Sequence, residues 1–215
     1  MEDMQMHSEP VRKPAEKKEK KGSWQENLLL YLHDFIYLVA LVVVLFAMFF
    51  RVVVVSGTSM NDTLLDGDYL LLLGDVFYTE PKQGDVIVAS KESFDNGLPI
   101  VKRVIATGGQ WVDIDFKAGV VYVGDSLETM QPADEWYLQE QNITTDWEGV
   151  NFPVQVPENS VFVLGDNRGN SKDSRSPQIG MIDEREILGK VIFLFLPGTN
   201  RGTVEADYSR IGLVK

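Results

Sequence analysis

From Phe35 to Phe50 the chain runs FIYLVALVVVLFAMFF without a charge, extended upstream by LLLYLHD and downstream, across Arg51, by VVVV. A helix rises about 1.5 Å per residue, so about 20 residues cross a bilayer core near 30 Å thick. The uninterrupted part is slightly short, but Arg51 can snorkel to one interface and Asp34 can sit at the other. Two other readings compete. A buried core helix is not usually apolar on every side in so small a protein. A cleavable leader has a shorter apolar region and a small-residue exit, whereas bulky Phe and Val surround the end of this run. The expectation is a retained anchor over residues 28–55. Residues 1–27 read as a disordered tail in which Lys17, Lys18, Lys20 and Lys21 alternate with Glu16 and Glu19. Because Arg12, Lys13 and those lysines precede the span, the positive-inside rule places the tail in the cytoplasm and residues 56–215 outside.

A chain of 215 residues holds such an anchor and about one ordinary globular unit. The net charge of −12 falls almost wholly after residue 51, where 13 basic side chains face 25 acidic ones. Nucleic-acid binding needs Lys and Arg to neutralise phosphates, and no basic stripe is present in that region, so no nucleic-acid partner is expected. Cysteine is absent, which removes disulfides, thiolate nucleophiles and Cys-ligated zinc. The two histidines are His7 in the tail and His33 at the edge of the apolar run. Beyond the anchor, short runs such as YLLLLGD, GDVIVAS, VFVLGDN and GKVIFLFL alternate with Gly, Asp, Pro and Asn. That punctuation predicts strands and turns, hence a mainly β unit. Residues from about 111 to 158, richer in polar residues and Trp, read as an inserted hairpin region.

Three segments of this unit could carry chemistry. The first, Ser56-Gly57-Thr58-Ser59-Met60, clusters small residues just past the span and suits a tight turn with outward-pointing amides. A plain membrane-exit loop has the same composition. The second, Leu98 to Ile105, is an apolar run broken by Lys102 and Arg103. Period-2 alternation puts Lys102 with Ile100 and Val104, and Arg103 with Val101 and Ile105, so one of the two charges points into an apolar layer. Lys102 facing solvent on an edge strand is the bland alternative. The functional one is a desolvated lysine that loses its proton readily and serves as a general base. The third segment, Gly165 to Ser176, is dense in Asp, Asn, Arg and Ser. It reads as a solvated turn, as a set of charge-assisted hydrogen bonds, or as a calcium loop that lacks EF-hand spacing and its terminal Glu.

Taken in order behind a single N-terminal span, SGTSM, PIVKRVI and GDNRGNSKDSR resemble the motif series of bacterial type I signal peptidases, in the compact one-span form of the Gram-positive branch. The resemblance implies a membrane-bound serine endopeptidase with a signal-peptidase-like β ectodomain. Ser59 would be its nucleophile and Lys102 its general base, with Ser171 hydrogen-bonded to the lysine. Asp173, Arg175, Asp166 and Arg103 would support them, and the Ser59 amide with the Gly57 and Thr58 backbone would form the oxyanion site. It further implies cleavage of secreted preproteins after small residues of the Ala-x-Ala type, at a bacterial plasma membrane, among lipid and near the secretion translocon, with no metal or cofactor. The sequence departs from the family pattern at Asp62, where Pro is usual, and at Gly169, where many members have Asp. Ala106-Thr107-Gly108-Gly109 also replaces a Gly-x-Pro-Gly turn. A histidine triad is excluded in practice by the positions of His7 and His33. A self-cleaving repressor relative would carry a DNA-binding domain in place of the anchor, and a penicillin-binding type enzyme needs a Lys three residues after its serine. A non-catalytic paralogue would have lost Ser59 or Lys102.

Overall fold

A computed structural model describes residues 24–138, 144, 146, 149–199 and 206–214. The tail at 1–23 and part of the polar insertion, at 139–143, 145 and 147–148, lie outside the described residues. The chain divides into two compact units, residues 1–43 and 44–215. Helix α1 covers Trp24–Phe49. Within it Asn27–Phe49 is long and apolar enough to cross a membrane, and none of that stretch is buried by the rest of the chain. Apolar side chains exposed on all sides of a helix favour lipid over water as their surroundings.

The strands are β1 Phe50–Val54, β2 Tyr69–Gly74, β3 Val86–Ser90, β4 Pro99–Thr107, β5 Trp111–Asp115, β6 Val120–Gly124, β7 Gln131–Pro132, β8 Val154–Gln155, β9 Ser160–Leu164, β10 Ile182–Asp183, β11 Ile187–Leu196 and β12 Gly212–Leu213. One sheet has the order β1-β2-β11-β3-β4-β9-β10, with β12 also on β11; the other has the order β7-β6-β5-β8. The fold is therefore mainly β with one N-terminal apolar helix.

One boundary differs from the sequence expectation. The anchor expected over 28–55 ends as helix at Phe49, and the valines after Arg51 form β1, antiparallel to the leucines of β2 from Phe50↔Leu73 to Val54↔Tyr69. Valine is stiff about χ1 and packs better on a pleated surface than in a helix. Arg51 is tied to the β unit: its guanidinium donates to Asp75 at 2.8 Å and to the Leu188 carbonyl at 3.2 Å. The segment expected to be an inserted hairpin contributes a second sheet of four strands. Val112, Ile114 and Val121 of that sheet share a core with Ala106 of β4 and with Phe162 and Leu164 of β9.

Strand β4 positions the chemistry. Its first part pairs with β3 from Ser90↔Pro99 to Val86↔Arg103, and its second part pairs with β9 from Arg103↔Leu164 to Thr107↔Val161. Residues 99–102 thus have a strand partner on one side only. Both faces of β4 are covered, so both charges are buried: Lys102 is 5% exposed and Arg103 0%. Alternation had suggested that only one of them points inward.

Candidate active site

The loop from Val55 to Asp68 joins β1 to β2 and carries Ser59. Lys102 Nζ lies 2.7 Å from Ser59 Oγ and 3.0 Å from the Val101 carbonyl oxygen, to which it donates. Ile87, paired across from Lys102, and its same-face neighbours Ile100 and Val104 belong to one apolar cluster, which sheathes the lysine stem in hydrocarbon. Burial lowers the Lys102 pKa from its ordinary 10.5 to about 8; Asp173 and Asp166 oppose that shift and Arg175 adds to it. At that value about a tenth of the amine is neutral at pH 7 and about half at pH 8. It can then accept the Ser59 proton across the same short contact.

The Ser59 loop is held chiefly by the turn after β9. The Ser59 carbonyl accepts from the Asn167 amide at 3.0 Å, and the Thr58 carbonyl from Asn167 Nδ2 at 3.0 Å. Asn170 Nδ2 donates to Thr58 Oγ1 at 3.1 Å. Thr63 Oγ1 donates to Asp166 Oδ2 at 2.6 Å. Asp166 in turn accepts from Arg103 Nε at 2.9 Å and Nη2 at 2.7 Å. Asp173 and Arg175 form a second fork, with Nε and Nη2 each 2.8 Å from a carboxylate oxygen and both residues wholly buried. Asp173 also accepts from the Gly165 amide, and Arg175 Nη1 donates to the Arg168 carbonyl. Arginine suits both forks because its planar donors match a carboxylate.

Ser171 is buried, and its hydroxyl lies 3.5 Å from the Lys172 carbonyl. Gly165 lets it approach. A Cβ at Gly165 would fall less than 3 Å from both the Ser171 hydroxyl and the Ser59 carbonyl oxygen, so only glycine lets these two meet across the backbone.

Gly57 does not fit the oxyanion role expected of it. Its amide donates to Asp66 Oδ1 at 2.7 Å and is therefore committed. The Thr58 and Ser59 amides make no hydrogen bond among the described residues. Gly57 has φ of +97°, which turns the chain so that Thr58 and Ser59 follow in a tight loop.

Several supporting residues escaped the sequence reading. Asp66 holds the Gly57 amide. Asp68, wholly buried, accepts from the Leu65 amide at 2.7 Å and from both terminal nitrogens of Arg210, which also reaches the Thr63 carbonyl. Asp66 and Asp68 flank a Gly in a turn-like stretch, which is a local signal for side-chain to backbone bonds. Nothing local in the sequence points from Arg210 back to Asp68.

A cleft of about 490 Å³ opens beside Ser59 and Lys102, lined among others by Val53, Met60, Phe94, Ile100, Val101 and Lys172. A serine with a buried lysine at the edge of an apolar cleft, inside a β unit that follows an apolar helix, matches one known family over most of the chain: the model for signal peptidase, peptidase S26, aligns with residues 28–196. The chain belongs to the S26 signal peptidase family. It is 32% identical over 185 residues to signal peptidase I of Bacillus licheniformis, covering 83% of this chain and 94% of that protein. It is 35% identical over 175 residues to a probable signal peptidase I-1 of Synechocystis, covering 77% and 82% respectively. A crystal structure of a signal peptidase I from Enterococcus faecalis V583 aligns with 28% identity and a TM-score of 0.41, covering 52% of this chain and 97% of that one.

Proposed function

We propose that this chain is a membrane-anchored serine endopeptidase that removes signal peptides from secreted preproteins, with Ser59 as nucleophile and Lys102 as general base. The observation that carries the reading is the 2.7 Å contact between Ser59 Oγ and the amine of a lysine whose pKa burial lowers to about 8. Neutral Lys102 takes the Ser59 proton as Oγ bonds to the scissile carbonyl carbon. The Ser59 amide, with that of Thr58, faces the developing oxyanion. As the C–N bond breaks, the proton passes from Lys102 to the leaving amine. Water, deprotonated by the same lysine, then releases the acyl group. The Ser171 hydroxyl, which the family resemblance pairs with the lysine, orients the amine. Asp166, Arg103, Asp173 and Arg175 hold the two loops and do no chemistry.

The cleft supports an extended peptide substrate. Val53 and Val54 come from β1, an edge strand, and Pro99 to Lys102 from the singly paired part of β4, so two free backbone edges border it. A strand laid between them would gain main-chain hydrogen bonds and place alternate side chains in the apolar cleft. Its modest volume and valine-rich wall favour small side chains next to the scissile bond, as in Ala-x-Ala. The basic tail before α1 supports a cytoplasmic N-terminus and an extracytoplasmic catalytic unit.

The test is mass spectrometry of a secreted preprotein incubated with the detergent-solubilised full chain and with its Ser59→Ala variant. Cleavage after a small residue at the signal-peptide boundary by the wild type alone is the expected result. An uncut preprotein, or equal cutting by both proteins, would refute the proposal.

A further inference from the structure

The segment leaving the second sheet meets two buried arginines. Lys102 and Arg103 are consecutive in a strand, so their side chains point to opposite faces. The Arg103 guanidinium, fully buried, is forked onto Asp166 and donates to the Gly84 carbonyl at 2.8 Å; its carbon lies 3.8 Å from the centre of the Tyr137 ring. Arg168 is also fully buried, and Glu135 is its carboxylate partner among the described residues. The Tyr137 hydroxyl closes the triangle, accepting from Arg168 Nη2 at 3.2 Å and donating to Glu135 Oε1 at 3.2 Å. Arg168 Nε donates to the Gly165 carbonyl at 3.1 Å.

Both arginines lie one link from the nucleophile loop. Arg103 fixes Asp166, which accepts from Thr63. Arg168 directly follows Asn167, whose amide and side chain hold the Ser59 and Thr58 carbonyls. A guanidinium without water around it keeps its orientation only while a carboxylate, a carbonyl or an aromatic face satisfies it. Glu135 and Tyr137 supply two of those partners from outside the main sheet.

We infer that Glu135 and Tyr137 are positioning residues for Ser59. Through Arg168 and Arg103 they set the nucleophile loop, so the second sheet and its exit segment complete the catalytic arrangement. Neither residue lines the substrate cleft. Their loss should therefore slow the chemical step and leave substrate affinity alone. The inference rests on the Ser59/Lys102 reading above.

The experiment is single-turnover cleavage of a fluorogenic signal-peptide substrate, with the full-length detergent-solubilised enzyme in excess at rising concentrations. Its limiting rate constant reports on folded molecules and not on how many there are. Tyr137→Leu removes the ring face and is expected to lower that constant on the order of tenfold, as small misplacements of a reacting group do. The half-saturating concentration should not change. Tyr137→Phe, which keeps the face over Arg103, should recover most of the loss. Glu135→Gln, nearly isosteric, should slow the step without loss of the fold. Wild-type rates in both Tyr137→Leu and Glu135→Gln would overturn the inference, as would slowing that appears only as a raised half-saturation or a Phe variant no faster than Leu. Failure of the underlying reading shows differently: Ser59→Ala, run beside them, would then cleave like the wild type and take this inference down with it.

Discussion

Lys102→Arg is expected to abolish cleavage as completely as Lys102→Ala. Arginine keeps the positive charge and much of the reach but does not deprotonate at accessible pH, so it cannot accept the Ser59 proton. General-base catalysis is worth up to about 10⁴-fold, and that is the loss expected for either variant in a peptide-cleavage assay. The wild type supplies the companion measurement. In the proposed mechanism Lys102 must be neutral to act, and burial lowers its pKa to about 8. Activity should therefore rise with pH through about 8 and, below that, fall about tenfold for each pH unit in kcat/KM. Substantial turnover by the Arg variant would show that the charge of Lys102, and not its lone pair, is what the reaction uses.

Asp173→Ala is expected to cost the most stability of any single change at this site. Both Asp173 and Arg175 are wholly buried, and removing one partner leaves an uncompensated charge inside the protein. Such a break typically costs about 3–5 kcal/mol, a large share of the stability of a domain this size. Urea or thermal unfolding of the solubilised protein measures it. The variant should also change the pH profile where it remains folded. Asp173 is the strongest of the influences that hold the Lys102 pKa up, while Arg175 pushes it down. The acid limb should accordingly move to lower pH. A fully stable Asp173→Ala protein without activity would instead make Asp173 a participant in the reaction.

Much of this site could be read from the chain because its parts are clustered. Ser59 lies among small residues, Lys102 interrupts an apolar strand, and Asp166 to Arg175 form one dense polar turn. Each cluster has a local signature, and their order behind an apolar helix made the family recognisable. The parts that were missed act over distance. Arg210 reaches Asp68 across 142 residues, and Glu135 and Tyr137 reach Arg168 across 33 and 31. No periodicity or turn chemistry encodes such pairings. The burial of Arg103 was missed for a different reason: alternation assumes a strand with one dry face, and β4 has layers on both. The helix ends earlier than expected because a run of valines satisfies a hydropathy window as well as leucines do, although its stiff side chains favour the strand that forms.

The absence of any linker between α1 and β1 sets a limit on reach. Phe50 opens the sheet directly after Phe49 ends the helix, and Ser59 follows only ten residues after that helix end. Even a fully extended chain of that length spans no more than about 35 Å. With α1 in the bilayer, as proposed, the nucleophile works on a short leash. A peptide bond is then selected by its height above the membrane as well as by its side chains. A substrate held at the surface by its own apolar segment stays within the arc that Ser59 can sweep, and is therefore expected to meet the cleft more often than the same Ala-x-Ala sequence on a soluble, already released protein.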